Sequence, residues 1–226
     1  YQLLSEALSG GADVNLVEPF SGVRPASAVL EKFVSKRSME QIAYAKAMAV
    51  LGHYVNFIDE STRTTPLYNI WKTQYYLKTP GEITACAEAV ALLIANGAAV
   101  DVQYDKGETL MHIDLKRTCD RTNRQYAKFN HLLMLLMQAG ASWTILDDAG
   151  NMALHYAART NTYFDLMKSF LTKNQLKETK AVLDSQKRTV FHNACLYSQS
   201  EIAKWAYVPG AHNGIPDVFD RTALHD

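Results

Sequence analysis

The sequence contains seven histidines and three cysteines, side chains that often act as catalytic groups or metal ligands. Cys195 follows His192 by three residues, so a helix would place the two side chains on one face. An imidazole beside a thiol can take the thiol proton and leave a nucleophilic thiolate. This pair suggests a catalytic hypothesis, which requires that both residues lie on one helix.

Metal and cofactor sites have recognisable residue spacings, and the sequence contains none of them. Cys86, Cys119 and Cys195 form no Cys-x-x-Cys pair, which a structural zinc site would need. There is also no Gly-rich phosphate loop and no paired-carboxylate motif. We therefore predict no metal, no cofactor and no catalytic residue, and we expect a protein that is not an enzyme.

Two short motifs recur along the chain, and the first contains four of the seven histidines. Its six copies begin at Arg24, Thr65, Thr109, Met152, Thr189 and Thr222, and the last four end at His112, His155, His192 and His225. The second motif precedes most of them and begins at Gly10, Gly52, Gly97 and Gly140. Thr can cap a helix, Pro suits a first helical turn, and Gly can end a helix, so the motifs indicate a repeated helix pair.

Together the motifs resemble the ankyrin repeat, in which a Gly-x-Thr-Pro-Leu-His opening is followed by a Leu-Leu-x-x-Gly-Ala-Asp-x-Asn closing. The resemblance covers nearly the whole chain. It implies an all-α solenoid of stacked helix–turn–helix repeats with short hairpin fingers between them. The single array would span residues 1–226, with repeats at 1–21 (partial), 22–61, 62–106, 107–149, 150–186, 187–219 and 220–226 (partial).

The resemblance also implies structural roles for the side chains that could do chemistry. The four motif histidines would make hydrogen bonds that tie neighbouring repeats together. Ala194 and Cys195 stand at the family's Ala-Ala pair, where small residues pack. Core packing is therefore the alternative to nucleophilic catalysis at Cys195.

The repeats are longer than the family norm of about 33 residues. The extra residues lie between the two helices of a repeat, near Val34–Glu40, Tyr75–Thr84 and Arg117–Lys128. These insertions either extend the helices or form loops. They either contribute to a binding face or result from neutral drift in exposed loops. We also predict that Pro66–Tyr75 and Thr84–Asn96 form one helix pair, with Leu67 and Leu93 buried.

The charge balance sets limits on the partners. The chain has 23 basic and 23 acidic side chains, which gives no overall attraction to nucleic acid or to an anionic membrane. The most apolar stretch still contains Glu88 and Asn96, so we predict no membrane span. The cysteines are odd in number and have no short spacing between them, which favours a reducing compartment. We expect a monomer in the cytoplasm.

The resemblance implies a scaffold that binds another protein through its concave face and its hairpin fingers. The alternative is a recognition module of a larger multidomain enzyme or a secreted bacterial effector acting in the host cytoplasm, with catalysis outside this segment. We expect a fragment of a longer protein, because the last repeat lacks its second helix. The candidate partner-binding residues are Phe20, Ile58, Arg63, Lys72, Lys106, Lys116, Arg117, Leu146, Tyr156, Arg159 and Tyr197.

Basic residues recur at equivalent positions of the predicted first helices. Lys72, Lys116 and Arg159 share one position, and Lys32 and Arg117 share the next. Equivalent positions of a solenoid line up, so these charges predict a basic column that attracts an acidic partner. The alternative is that they are ordinary solvated ends of long side chains.

Overall fold

A computed structural model of the chain describes the positions 42, 45, 46 and 49 and the residues 55–58, 62–118, 130–160, 163, 168–171, 179–209 and 215–223. The chain forms two compact units, Tyr1–Val100 and Asp101–Asp226. Within the described residues the regular structure is helical, with no strand and one isolated β-bridge between Leu146 and Met152. The all-α fold class is confirmed, and the single array over residues 1–226 remains a prediction.

The N-terminal unit contains the predicted helix pair. Helix α1 spans Pro66–Thr73 and continues into a 3-10 turn at Gln74–Tyr76, and helix α2 spans Pro80–Ala95. The two helices pack against each other, and both Leu67 and Leu93 are fully buried. The prediction for this repeat is confirmed.

The insertion near Tyr75–Thr84 is mostly helical. The Oγ1 atom of Thr79 accepts a hydrogen bond from the N–H of Glu82, and Oε2 of Glu82 accepts one from the N–H of Thr79. This reciprocal cap starts α2 one turn earlier than the Thr84 start predicted from the sequence. Hydrogen bonds from the backbone of Lys78 and Thr79 lower the pKa of Glu82. The insertion Val34–Glu40 and most of Arg117–Lys128 lie outside the described residues.

The C-terminal unit contains five described helices: α3 (Leu110–Thr118), α4 (Asn130–Gln138), α5 (Ala153–Ala157), α6 (Val190–Leu196) and α7 (Ser200–Ala206). Helix α3 packs against α4 and α5, and α6 packs against α5 and α7. The first helices of successive repeats, α3, α5 and α6, therefore stack in chain order. This is the stacking that a repeat fold needs in order to bury both faces of each helix pair.

Leucines at helical spacing on α4 form part of the core of this unit. Leu132, Leu133 and Leu136 of α4 are buried, and Leu135 is half-buried. Gly140 follows that helix with a φ of 81°, the left-handed conformation that ends a helix. Among the described residues, no helix is long and apolar enough to cross a membrane.

Candidate protein-binding surface

Three hairpin fingers of the C-terminal unit are built on one turn, and each turn begins at a buried aspartate. Its Oδ1 atom accepts hydrogen bonds from the backbone N–H groups two and four residues later, at 2.8–3.2 Å. The residue three positions later closes the turn and has a positive φ. The aspartates are Asp147, Asp184 and Asp217, and the residues with positive φ are Gly150, Lys187 and Asp220.

Backbone hydrogen bonds join each finger to the next. One N–H of each finger donates to a carbonyl of the preceding finger, at 2.9–3.1 Å. Such a ladder holds the fingers at fixed spacing, so side chains on their tips keep a fixed relative position. The donor and acceptor pairs are Asp148 and Lys106, Ser185 and Ala149, and Val218 and Gln186.

Each motif histidine links the start of its own helix to the finger that follows it, which is the kind of structural hydrogen bonding that the resemblance implied. The Nδ1 atom of each accepts from the backbone N–H at the start of its own helix, and Nε2 meets a carbonyl in the following finger or two residues before its aspartate. These carbonyls belong to Asn151 for His112, Val182 for His155 and Ile215 for His192, at 3.1, 3.2 and 2.9 Å. The structural role is confirmed for these three residues, and His225 lies outside the described residues.

These contacts assign a neutral tautomer to His155. A carbonyl needs a donor, so Nε2 carries the proton, and Nδ1 is left to accept the N–H of Met152 at 3.0 Å. Protonating Nδ1 would place two donors face to face. Burial lowers the pKa of His155 and of His112 below the ordinary value of 6.5.

We expect the stability of the protein to fall in mild acid. Below pH 6.5 the unfolded chain binds protons at these histidines, whereas the folded chain resists them, so the free energy of unfolding declines as pH falls through the window below 6.5. Urea unfolding at pH 7.5, 6.5 and 5.5 measures the slope. The His155→Gln variant should show a shallower slope over this range. A slope unchanged in that variant would contradict the assignment.

We also expect no tight zinc binding, because both ring nitrogens of His112, His155 and His192 are already engaged in hydrogen bonds. A metal would have to break those bonds and draw together side chains that lie one per repeat. Among the described residues, no group of three or more His, Cys, Asp or Glu side chains is arranged to hold a metal ion. Zinc analysis after chelation and desalting checks this, and one retained equivalent would refute it.

Four side chains of the C-terminal unit form what we call the cation–aromatic row: Lys116, Tyr156, Arg159 and Tyr197. The ammonium of Lys116 lies 5.6 Å from the centroid of the Tyr156 ring. The Arg159 guanidinium lies 4.8 Å from that centroid and 5.7 Å from the Tyr197 ring centroid. Cations and rings thus alternate across three successive repeats, at distances where cation–π attraction operates.

Tyr156 is the fixed centre of the row. It is 3% exposed, and its hydroxyl donates a 2.6 Å hydrogen bond to Oδ2 of Asp147, the aspartate that starts a finger. Burial and the hydrogen bond to Asp147 raise the pKa of Tyr156 far above its ordinary value. Its ring also meets that of His112 edge-on, with 6.2 Å between centroids. The row therefore rests on the same contacts that hold the repeats and the fingers together.

The comparison with known families bears on the same part of the chain. A family model described as ankyrin repeats, in three copies, matches residues 124–217. The match covers less than half of the 226 residues, and it shows that this segment is similar to ankyrin repeats. A search of curated protein sequences found no match for the chain.

Ankyrin repeats are generally modules for protein–protein interaction, so the positions of the predicted binding residues can be compared with that role. Ile58, Leu146 and Tyr197 are 53%, 45% and 42% exposed and are therefore accessible to a partner. The exposed cations are Arg63, Lys72, Lys106 and Lys116, and the half-buried ones are Arg117 and Arg159.

Among the predicted binding residues, Tyr156 needs a correction and Phe20 cannot be compared with the structure. Tyr156 was predicted to face a partner, but its ring is buried because α5 is only five residues long and packs on both sides, against α3 and α6. It supports the surface without being part of it. Phe20 lies outside the described residues.

The predicted basic column is altered by ion pairing. Lys116 forms an ion pair with Glu108, which neutralises part of its charge. Within the C-terminal unit, Lys116 and Arg159 do approach the same ring, as their equivalent positions predicted. The continuation of the column to Lys72 stays a prediction.

The catalytic hypothesis for His192 and Cys195 lacks a free base. Nδ1 of His192 lies 2.8 Å from Oγ1 of Thr189, and Nε2 lies 2.9 Å from the carbonyl oxygen of Ile215. Because both ring nitrogens are engaged, neither is placed to take the Cys195 proton. The neighbouring Ala194 is fully buried, in accord with the packing role that the resemblance implied.

Sequence reasoning missed the finger aspartates and two exposed apolar positions. Each aspartate lies five residues before the opening of its repeat, and this spacing was visible in the sequence. Leu183 precedes Asp184 as Leu146 precedes Asp147, and it is 42% exposed. Phe219, on the last finger, is 63% exposed.

Proposed function

We propose that this protein binds a partner protein through the members of the cation–aromatic row that are not fully buried, which are Lys116, Arg159 and Tyr197. One observation supports this most: Lys116 and Arg159 both approach the buried ring of Tyr156, and Arg159 also approaches the exposed ring of Tyr197. Arg and Tyr are the residue types that concentrate binding energy at protein interfaces. Side chains that are already ordered also lose less conformational entropy when they bind.

The fingers supply the second part of the proposed surface. Leu146, Leu183 and Phe219 expose apolar area on tips whose backbones are linked by hydrogen bonds. A surface that combines exposed apolar groups with charged side chains suits a partner that buries a few anchors within a polar rim. We include Lys106, on the preceding finger, in this surface. In the N-terminal unit, Ile58, Arg63 and Lys72 remain candidates.

The proposed partner carries negative charge where it meets the row. Its association should slow as ionic strength rises, since screening weakens steering between exposed charges. We propose that the chain acts as a monomer in the cytoplasm. The odd number of cysteines, with no short spacing between them, supports a reducing compartment.

A display selection tests the proposal. Random 16-residue peptides are panned on the immobilised protein, and each selected clone is measured against two variants. The row variant is Lys116→Ala/Arg159→Ala/Tyr197→Ala. The control is Glu201→Ala/Lys204→Ala, which removes an exposed ion pair of α7 in the same unit.

The expected result is that most clones lose at least tenfold in affinity for the row variant and less than twofold for the control. Circular dichroism must show that both variants keep the helical content of the parent. Selection of clones that bind the row variant and the parent equally, or no enrichment at all, would overturn the proposal.

A further inference from the structure

His155 differs from the equivalent histidines in the group that meets its Nδ1 atom. Nδ1 of His112 and Nδ1 of His192 each lie 2.8 Å from the hydroxyl oxygen of the threonine that starts the same helix. A hydroxyl can donate to a neutral imidazole and can accept from a charged one, so it fits both forms. At the start of α5 that threonine is replaced by Met152, which presents its backbone N–H to Nδ1 at 3.0 Å. The contacts of His155 therefore fit the neutral ring alone.

Burial leaves the charged form of His155 no substitute for the hydroxyl. The ring is 0% exposed, so water does not reach Nδ1 to accept its proton. A proton on Nδ1 would face the N–H of Met152, and one of the two donors would lose its partner. Protonation of His155 therefore requires that the start of α5 separates from the ring.

The charges that act on His155 come from two sides. Asp184, in the following finger, favours the charged imidazole, and Arg159, just beyond α5, disfavours it. Of the two helices that pack against α5, α6 contains no Lys, Arg, Asp or Glu, and α3 contains Asp114, Lys116 and Arg117. One acid and one base thus oppose each other at the ring, and burial is the larger effect on its pKa.

The cation–aromatic row is attached to the same short helix. Tyr156 follows His155 directly, and the N–H of Arg159 donates to the Tyr156 carbonyl at 3.0 Å. Helix α5 has only five residues, and a helix of that length is not stable without its tertiary contacts. Loss of the bonds from His155 to Met152 and Val182 removes two of those contacts, and a charged ring also repels Arg159.

We propose that His155 is an acid-sensitive switch, whose protonation opens α5 and the cation–aromatic row before the C-terminal unit unfolds as a whole. In the open form the ring lies in water and takes up a proton with the ordinary pKa of about 6.5. The closed form excludes that proton, so the open population rises as the pH falls below this value. The inference is independent of the proposed function, because the opening requires no partner.

Amide hydrogen exchange of the whole chain, followed by nuclear magnetic resonance, tests the inference. Two reporters are the N–H of Ala158, which donates to Leu154 at 3.0 Å, and the N–H of Arg159, which donates to Tyr156. Exchange rates, corrected for the intrinsic effect of pH, give the equilibrium constant for opening at each reporter. Urea unfolding at the same pH gives the constant for global unfolding.

Between pH 7.5 and pH 5.5 the opening constant at both reporters should rise about tenfold, the effect of one proton taken up with a pKa of about 6.5. At pH 5.5 it should also exceed the global unfolding constant at least tenfold. His155→Gln cannot take up the proton, so its opening constant should change by less than twofold over the same range.

Met152→Thr and Met152→Val form a matched pair, because both shorten the side chain and only threonine restores the hydroxyl found at the start of α3 and α6. The valine variant should keep the rise of about tenfold, and the threonine variant should show at most half of it. Equal rises in the two variants would overturn the inference. So would reporters that open only with global unfolding, or an opening constant that does not respond to pH.

Discussion

Replacing His155 with leucine should lower the free energy of unfolding by about 2–4 kcal/mol. The imidazole is fully buried and joins the N–H of Met152 to the carbonyl of Val182, two residues before the following finger aspartate. Leucine fills a similar volume but leaves both backbone groups without a partner, at about 1–3 kcal/mol for each buried group. Urea unfolding at pH 7.5, where the histidine is neutral, measures the loss.

His131→Leu is the matched control for this prediction, because His131 is exposed at the start of α4. A surface change of that kind should alter the free energy of unfolding by no more than about 0.5 kcal/mol. If the His155 and His131 variants were equally stable, the histidine bridge would contribute nothing to the stacking of the repeats.

Shortening Leu93 to alanine should lower the free energy of unfolding by about 2–5 kcal/mol, the range for buried leucines. Leu93 is fully buried in α2, which packs against α1. The loss combines the apolar area that is no longer buried with the cavity that remains, since neighbouring side chains relax only in part. Thermal and chemical unfolding of the variant should agree on this loss.

Ile58→Ala serves as the control in the same N-terminal unit. It also removes several aliphatic carbons, but from a side chain that is 53% exposed. The expected loss is well below that of Leu93→Ala, because much of this side chain is already in water. A loss as large as that of Leu93→Ala would refute the burial assigned to these two residues.

Much of the fold could be predicted from the sequence because its signals are local. Thr65 and Pro66 favour the start of a helix, and Gly140 favours its end, through interactions within a few residues of the chain. The structural role of the motif histidines was implied by the resemblance to ankyrin repeats, and the structure shows each one in contact with the start of its own helix three residues earlier. The added turn of α2 depends on the cap between Thr79 and Glu82. The spacing of these two residues matches the capping box, but the predicted start of the helix did not take it into account.

The candidate site was predicted only in part. The sequence by itself determined that Lys116 and Arg159 occupy equivalent positions, and repetition brings equivalent positions together. It could not show that Lys116 would pair with Glu108, eight residues earlier, since that contact depends on how the chain turns before α3. The finger aspartates had a regular spacing, but their function in the turns became clear only from the hydrogen bonds they accept.

Only the tertiary structure decided the direction of the Tyr156 side chain and the environment of Arg159. On a helix with one solvent-exposed face, the spacing of apolar residues separates buried from exposed positions. Every residue of α5, however, is buried between two neighbouring helices. The Tyr156 ring is therefore directed by packing and by the hydrogen bond to Asp147, nine residues earlier. Arg159 lies between Tyr156 and Tyr197, which are 41 residues apart in sequence and meet only because the repeats stack.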